Sequence, residues 1–185
     1  MKVRVLTTPL DDEAVARLRA GDMVRLNGIL YTARDAAHKR LVGALSRGEP
    51  LPIPLAGQVI YYVGPAPAPP GRPIGPAGPT TSGRMDPYTL PLLERGVKGF
   101  IGKGYRSDEV KAALVRHRAV YLAAVGGAAV LLAQHIVSAR VVAYEDLGTE
   151  AIRELVVRDF PAIVVHDIYG GDAYLEGQRA FRQHP

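Results

Sequence analysis

The order of apolar and polar positions along the chain predicts short strands that alternate with helices. Apolar residues alternate over residues 2–8, which indicates a half-buried strand. Asp11 is placed to cap a helix that runs to Ala20 and ends at Gly21. Asn27-Gly28 separates two apolar runs at 23–26 and 29–32, and predicts a hairpin because both central residues of such a turn need positive φ.

The remaining segments follow the same two periods and complete a mixed α/β pattern. Strands are predicted at residues 58–63, 99–102, 120–125, 140–144 and 162–166. Helices are predicted at 35–46, from the cap Asp86 to near Gly96, from the cap Ser107 or Asp108 to about His117, at 126–137, from the cap Thr149 to Arg158, and over the tail 171–185. The whole chain, residues 1–185, is therefore expected to form one α/β domain with partly parallel strand pairing.

A segment rich in proline and glycine interrupts this pattern at residues 64–79. It holds seven prolines and four glycines, which excludes a helix or a central strand. A flexible linker between two domains is one interpretation. We favour an ordered loop, because the flanking segments are short for separate cores and long ordered loops often carry function.

Composition narrows the classes of protein and of site. The chain is 48% hydrophobic and 22% charged, as in globular proteins that form a core. No apolar run reaches membrane-spanning length and no signal peptide is apparent, so a cytoplasmic protein without membrane contact is expected. The sequence has no cysteine, and its five histidines lack metal-binding spacing, so no metal site is expected in this chain.

The net charge of +5 raises the question of which acidic molecule the chain binds. Scattered basic residues, three phenylalanines and no tryptophan argue against a nucleic-acid surface. Gly102-Lys103 is not part of a phosphate-binding loop, since Val97 stands where that motif needs glycine. A small acidic ligand or partner fits the charge better.

Three cations stand beside small residues and form the candidate ligand site. Arg34, Arg84 and Lys103 together match a diacid with a carboxylate at each end, because a guanidinium binds a carboxylate by two parallel hydrogen bonds. Each could also be an ordinary solvated surface cation. Gly102 and its neighbours leave space for a ligand near Lys103.

The segment Gly78–Asp86 adds three hydroxyls to Arg84. A hydroxyl such as that of Thr80 can act as a base only when another group takes its proton. Hydrogen bonds within a turn are an equally good explanation of these hydroxyls. For Gly126-Gly127, tight helix packing is favoured over anion binding.

Four motifs, taken together, resemble the β subunit of class I fumarases and L-tartrate dehydratases. They are Gly21-Asp22 with 26–38, Gly78–Asp86, Ile101–Gly104 and Gly148–Ile152. The resemblance extends from about residue 5 to residue 170, and the combination is specific although each motif alone is weak. Val165–Gly170 departs from the pattern of the family.

The resemblance implies a swivelling β/β/α domain with a mixed sheet that acts with a separate α subunit. In that family the α subunit holds a [4Fe–4S] cluster whose open iron acts on the substrate hydroxyl. By resemblance, Thr80 takes the proton from carbon after an aspartate of the α subunit activates it. Arg34, Arg84 and Lys103 correspond to residues that bind the substrate.

The resemblance therefore implies a hydro-lyase, active only with the α subunit in an α2β2 or similar heteromer. The first hypothesis is reversible hydration of fumarate to (S)-malate. The second is dehydration of L(+)-tartrate to oxaloacetate, since malate and tartrate differ by one hydroxyl. A non-catalytic module that binds anions is the third.

Overall fold

A seven-stranded mixed sheet organises the chain, which a computed structural model describes from residue 3 to residue 182. The strands are β1 Val3–Thr7, β2 Met23–Thr32, β3 Val59–Tyr61, β4 Gly99–Gly102, β5 Val120–Ala123, β6 Ile136–Ala143 and β7 Ile152–His166. The helices are α1 Asp12–Ala16, α2 Asp35–Ser46, α3 Asp86–Glu94, α4 Asp108–Arg116, α5 Ala129–Gln134 and α6 Ala173–Phe181, with 3-10 helices at Ser82–Met85 and Glu145–Glu150.

The sheet closes on itself in a barrel-like ring. Its strand order is β1-β2-β3-β4-β5-β7-β6, and β2 also pairs with β7. The neighbours from β2 to β5 are parallel, whereas β7 is antiparallel to β5, β2 and β6. Because parallel strands end at the same edge, the segments that follow β2, β3, β4 and β5 are brought together there.

Side chains on both faces of the parallel strands are buried. Val59 and Tyr61 pack in one apolar cluster, whereas their neighbours Ile60 and Tyr62 pack in another, as the alternation along a strand requires. The second cluster includes buried residues of the crossover helices α2, α3 and α4, among them Leu41, Leu92 and Leu114. Burial on two faces explains why these strands read as continuous apolar runs.

The predicted hairpin at Asn27-Gly28 is wrong, because β2 runs without interruption from Met23 to Thr32. A register shift against β7 falls between Leu26 and Gly28, which marks a bulge. Gly28 takes a φ of 102°, and a Cβ there would lie 2.7 Å from Thr8 Oγ1. Asn27-Gly28 thus forms a bulge in β2 rather than a turn, and Gly28 lets the strand pass close to Thr8.

The predicted helix from Thr149 to Arg158 is also wrong. Residues 152–166 form one long strand, β7, which contains the predicted strand 162–166 as its last third. The spacing of Ile152, Leu155 and Val156 fits a helix locally, but β7 pairs with both β2 and β6 and thereby satisfies its backbone on two sides.

Several predicted boundaries shift in the structure. The predicted helix over 126–137 is shortened to Ala129–Gln134, because β6 begins at Ile136, earlier than the predicted start at residue 140. The first helix ends at Ala16, short of the predicted Ala20, although Asp11 does cap it through the amide of Ala14 at 2.7 Å.

Asp86 does not cap α3 as predicted. The 3-10 helix at Ser82–Met85 runs directly into α3, so Met85 occupies the N-cap position and Asp86 is the first helical residue. The Asp86 carboxylate instead accepts hydrogen bonds from Arg106 Nε at 2.6 Å and from the Ser107 amide at 2.7 Å. The predicted cap at Ser107 is confirmed.

The segment 64–79 is an ordered loop, as favoured from its sequence. Its Ala66 amide donates to Pro76 O at 3.0 Å, and Ala77 O accepts from the buried Tyr61 hydroxyl at 2.6 Å. The tail prediction is confirmed over α6, whereas residues 183–185 of that tail and Lys2 of the first predicted strand lie outside the described residues. Within residues 3–182, no helix is both long and apolar enough to cross a membrane.

Candidate active site

The four predicted site residues lie at the carboxyl edge of the parallel strands. Arg34 follows the end of β2, Thr80 and Arg84 follow the loop after β3, and Lys103 directly follows β4. Ligands of open parallel sheets bind in the crevice outside this edge. We call these four residues the strand-end site.

Backbone hydrogen bonds hold Thr80 beside Lys103. The Thr80 amide donates to Tyr62 O at 2.8 Å, and the Lys103 amide donates to Thr80 O at 3.1 Å. The Ser82 amide then donates to Lys103 O at 2.8 Å. This approach requires glycine at 102, because a Cβ there would overlap Ser82 Oγ and lie 2.9 Å from Tyr62 Cδ2.

Side-chain contacts connect Thr80 directly to Arg84 and only indirectly, through Asp35, to Arg34. Arg84 Nη2 donates to Thr80 Oγ1 at 2.7 Å and to Asp35 Oδ2 at 3.2 Å. The same carboxylate oxygen lies 3.8 Å from Arg34 Nε. Asp35 therefore sits between the two guanidinium groups, and Thr80 is half-buried beside the exposed Arg84.

Glu150 places Arg34 at the start of α2. One oxygen of Glu150 lies 3.5 Å from Arg34 Nη2, and the other accepts from the Ala36 amide at 2.8 Å. Arg34 Nε is buried without a hydrogen-bond acceptor among the described residues. Gly64 leaves room for the side chain, since a Cβ there would lie 2.7 Å from Arg34 Nη1.

His38 supports the Arg34 backbone from the buried side. Its Nδ1 lies 2.8 Å from Arg34 O, so Nδ1 carries the proton of the neutral ring because a carbonyl can only accept. Within the described part of the chain, Nε2 is buried and has no partner. Burial lowers the pKa of His38 from 6.5 to about 4, so the ring adds no charge beneath Arg34 at neutral pH.

Lys103 is exposed, and its stem passes the loop after β5. A Cβ at Gly126 would lie 3.6 Å from Lys103 Cδ. Lys103 forms no ion pair with any residue from 3 to 182. Its ammonium group is therefore open to an anionic ligand.

The residues of this chain lack the usual ligands of an iron–sulfur cluster. The sequence has no cysteine, the usual ligand of such clusters. Over residues 3–182, no group of three His, Asp or Glu side chains could hold a metal ion. The residues present do not fit a [4Fe–4S] cluster.

Sequence reasoning named the four residues of the strand-end site but missed the side chains that hold them. Asp35 and Glu150 lie within the family-like motifs, so their positions carried a signal that was not used. His38 also lies in one of these motifs, four residues after Arg34, so helical spacing could have indicated its contact with the Arg34 carbonyl.

The fold and the strand-end site define a class of protein: an α/β domain with a barrel-like mixed sheet that presents three cations and a hydroxyl at its strand ends. Comparison with known families gives a more specific result. The sequence profile of the family described as Fumarase C-terminus matches residues 1–177, and the chain belongs to this family.

Curated relatives agree with that assignment. The chain is 39% identical to fumarate hydratase 2 of Leishmania major over 173 residues, which are 91% of this chain and 30% of the relative. It is 42% identical to the aerobic class I fumarate hydratase of Escherichia coli K12 over 155 residues, 83% of this chain and 28% of the relative. The chain thus spans about a third or less of these fumarate hydratases.

A shorter relative is matched along most of its length. The putative L(+)-tartrate dehydratase subunit beta of Methanocaldococcus jannaschii is 36% identical over 177 residues, which are 90% of this chain and 89% of the relative. The relatives therefore include both a domain of longer fumarate hydratases and a separate β subunit.

Proposed function

We propose that this chain is the β subunit of an iron–sulfur hydro-lyase that interconverts fumarate and (S)-malate. Family membership and the names of the relatives support a hydro-lyase. The observation that carries the proposal is the 2.7 Å hydrogen bond from Arg84 Nη2 to Thr80 Oγ1, beside a segment fixed to Lys103.

The charges of the strand-end site suit a small dianion. Arg34 and Arg84 offer forked donors and Lys103 offers a point charge. Asp35 contacts both guanidinium groups, at 3.8 and 3.2 Å, and so keeps the two arginines near each other. Two substrate carboxylates that enter here meet fixed partners, which offsets the cost of removing them from water.

Thr80 is proposed to move the proton. In the dehydration direction, the C–H bond next to one carboxylate breaks, its proton passes to deprotonated Thr80 Oγ1, and its electron pair forms the C=C bond. The neighbouring carbon releases its hydroxyl as hydroxide, which a Lewis acid supplied by the partner would accept. In the hydration direction, Thr80 returns the proton to carbon. The hydrogen bond that Arg84 donates stabilises the negative charge of the deprotonated oxygen.

Thr80 must first lose its own hydroxyl proton before it can act as a base. Asp35 is the nearest contacting carboxylate of the site, and it meets Arg84 and not Thr80. We therefore assign this proton to a carboxylate of the partner, as the family resemblance implies.

The partner is proposed to be an α subunit that holds the [4Fe–4S] cluster, because this chain has no cysteine to bind one. The longer fumarate hydratases have room for such a part in the remaining two thirds of their sequence, whereas the β-subunit relative has a length similar to this chain. We propose that residues 1–185 act as one swivelling domain that closes on the α subunit in an α2β2 or similar heteromer.

Dehydration of L(+)-tartrate to oxaloacetate is the second candidate. The match to 89% of a putative tartrate dehydratase β subunit favours it, because this relative shares the length of the chain as well as its sequence. Kinetics on both acids separate the two candidates.

The experiment is a pair of threonine variants in the assembled enzyme. Thr80→Ala is expected to lower kcat by about a hundredfold to ten-thousandfold with little change in KM, because the hydroxyl acts in proton transfer. Thr81→Ala is the matched control, since no hydrogen bond of its side chain occurs among the described residues. Equal turnover of wild type and Thr80→Ala would remove Thr80 from the reaction.

A further inference from the structure

Tyr121 is a buried residue of β5 whose hydroxyl joins two backbone segments. Its hydroxyl donates to Gly104 O at 2.8 Å, and Ser82 Oγ lies 2.9 Å from the same oxygen. Because the Gly104 carbonyl can only accept, the Tyr121 proton points toward it and Ser82 donates its proton to Tyr121. The hydroxyl thus receives one hydrogen bond and gives one.

The two segments are those that carry the strand-end site. Ser82 lies between Thr80 and Arg84 in the sequence and begins the 3-10 helix Ser82–Met85. Gly104 directly follows Lys103. We propose that Tyr121 is a positioning residue that sets the spacing between the Thr80–Arg84 segment and Lys103. This inference rests on the proposed function of the site.

The tyrosine ring is well suited to hold a fixed position. It is fully buried, its plane lies against the His166 ring with centroids 5.5 Å apart, and the Arg106 guanidinium lies 5.2 Å from its centroid. Burial raises the pKa of Tyr121, so the hydroxyl keeps its proton and remains a donor. The ring therefore anchors the hydrogen bonds in the core.

Ser82 has little freedom to choose another partner. It is fully buried, and its Oγ occupies the space that a Cβ at residue 102 would need. Through their backbones, the two segments are joined by the bonds of Lys103 to Thr80 and of Ser82 to Lys103. Tyr121 supplies the connection on the core side, so its loss would let the segments shift relative to each other.

The first test is amide hydrogen exchange on the chain itself, which does not depend on catalysis. Tyr121→Phe keeps the ring and removes the hydroxyl. Tyr31→Phe removes a part-buried hydroxyl that contacts Glu154 at 3.2 Å and is not bonded to Ser82 or Gly104. We expect the Ser82 and Lys103 amides to exchange about tenfold faster in Tyr121→Phe, with the β2–β7 amides unchanged. Tyr31→Phe should leave the Ser82 and Lys103 amides as in wild type.

The second test is steady-state kinetics of the assembled enzyme. Tyr121→Phe should lower kcat/KM by about tenfold to hundredfold, with KM raised as well as kcat lowered, because small displacements of reacting groups are costly. Tyr31→Phe should stay within about twofold of wild type. In a Lys103→Ala background, Tyr121→Phe should lose most of its effect, because the two residues act through one spacing.

Each result decides the proposal. The proposal is supported if the Ser82 and Lys103 amides exchange faster in Tyr121→Phe and the kinetic effect of Tyr121→Phe is smaller in the Lys103→Ala background. Wild-type kinetics, unchanged exchange at Ser82 and Lys103, or an equal rise in exchange over the whole chain with a fully additive kinetic effect would overturn it. If the wild-type assembly turns over neither diacid, the proposed function fails, and the exchange experiment alone still shows whether Tyr121 holds the two segments together.

Discussion

The buried imidazole of His38 predicts a loss of stability in mild acid. Burial lowers its pKa from 6.5 to about 4. Among the described residues, no acceptor lies within hydrogen-bond distance of Nε2, so a second N–H there would be unsatisfied. A histidine with a lower pKa in the folded chain stabilises it fully only above its unfolded pKa, and this stabilisation is lost as the pH falls toward the folded pKa. With these two pKa values, protonation of His38 in the unfolded chain is expected to lower the free energy of unfolding by about 2 kcal/mol when the pH falls from about 7 to about 5.

Urea unfolding of wild type and of His38→Asn at both pH values measures this contribution. The asparagine side chain keeps an N–H for Arg34 O but does not titrate in this range. His166, whose pKa is also lowered by burial, changes stability in the same direction, but it is present in both proteins and cancels in the comparison. Equal losses of stability in the two proteins would refute the account of His38 as a neutral buried ring.

Two further substitutions test the geometry of the strand-end site. Gly102→Ala should lower the unfolding free energy in urea by about 1–3 kcal/mol, because the new methyl group overlaps Ser82 Oγ, and adding Ser82→Ala should restore part of it. An unfolding curve equal to that of wild type would contradict the close packing at this position. Arg84→Lys should raise KM for the diacid by about tenfold or more, since the forked donor that contacts both Thr80 and Asp35 is lost. An unchanged KM would show that Arg84 does not bind the substrate.

Parts of the fold that depend on local chemistry could be predicted from the sequence. The helix over 35–46 and the cap at Ser107 follow from periodicity and capping within a few residues, and the structure confirms both. The strand Gly99–Gly102 is also as predicted. In these segments the local preference and the tertiary pairing agree.

Other parts depend on partners that are distant in sequence. Asn27-Gly28 has the residues of a hairpin turn, yet β2 continues through it because β7 pairs along its length. Residues 152–158 have a helical apolar spacing, yet the backbone pairs with strands on both sides. Tertiary pairing overrides local preference in both cases.

The candidate site divides in the same way. Thr80 and Arg84 belong to one segment that the sequence singled out, and they form a 2.7 Å hydrogen bond that was not predicted. The approach of Lys103 and Arg34 depends on the order of β2, β3 and β4 in the sheet, which sequence periodicity does not give. The catalytic and substrate-binding roles of the four residues stay predictions.

The most direct test of the central claim compares turnover by the purified chain alone with turnover after assembly with the proposed iron–sulfur α subunit. The assay is anaerobic and uses fumarate, (S)-malate and L(+)-tartrate as separate substrates. The account predicts no turnover by the chain alone, and turnover of one diacid pair by the assembly, because the strand-end site supplies cations and a hydroxyl but no metal. Hydration or dehydration by the chain alone, without iron or partner, would contradict it.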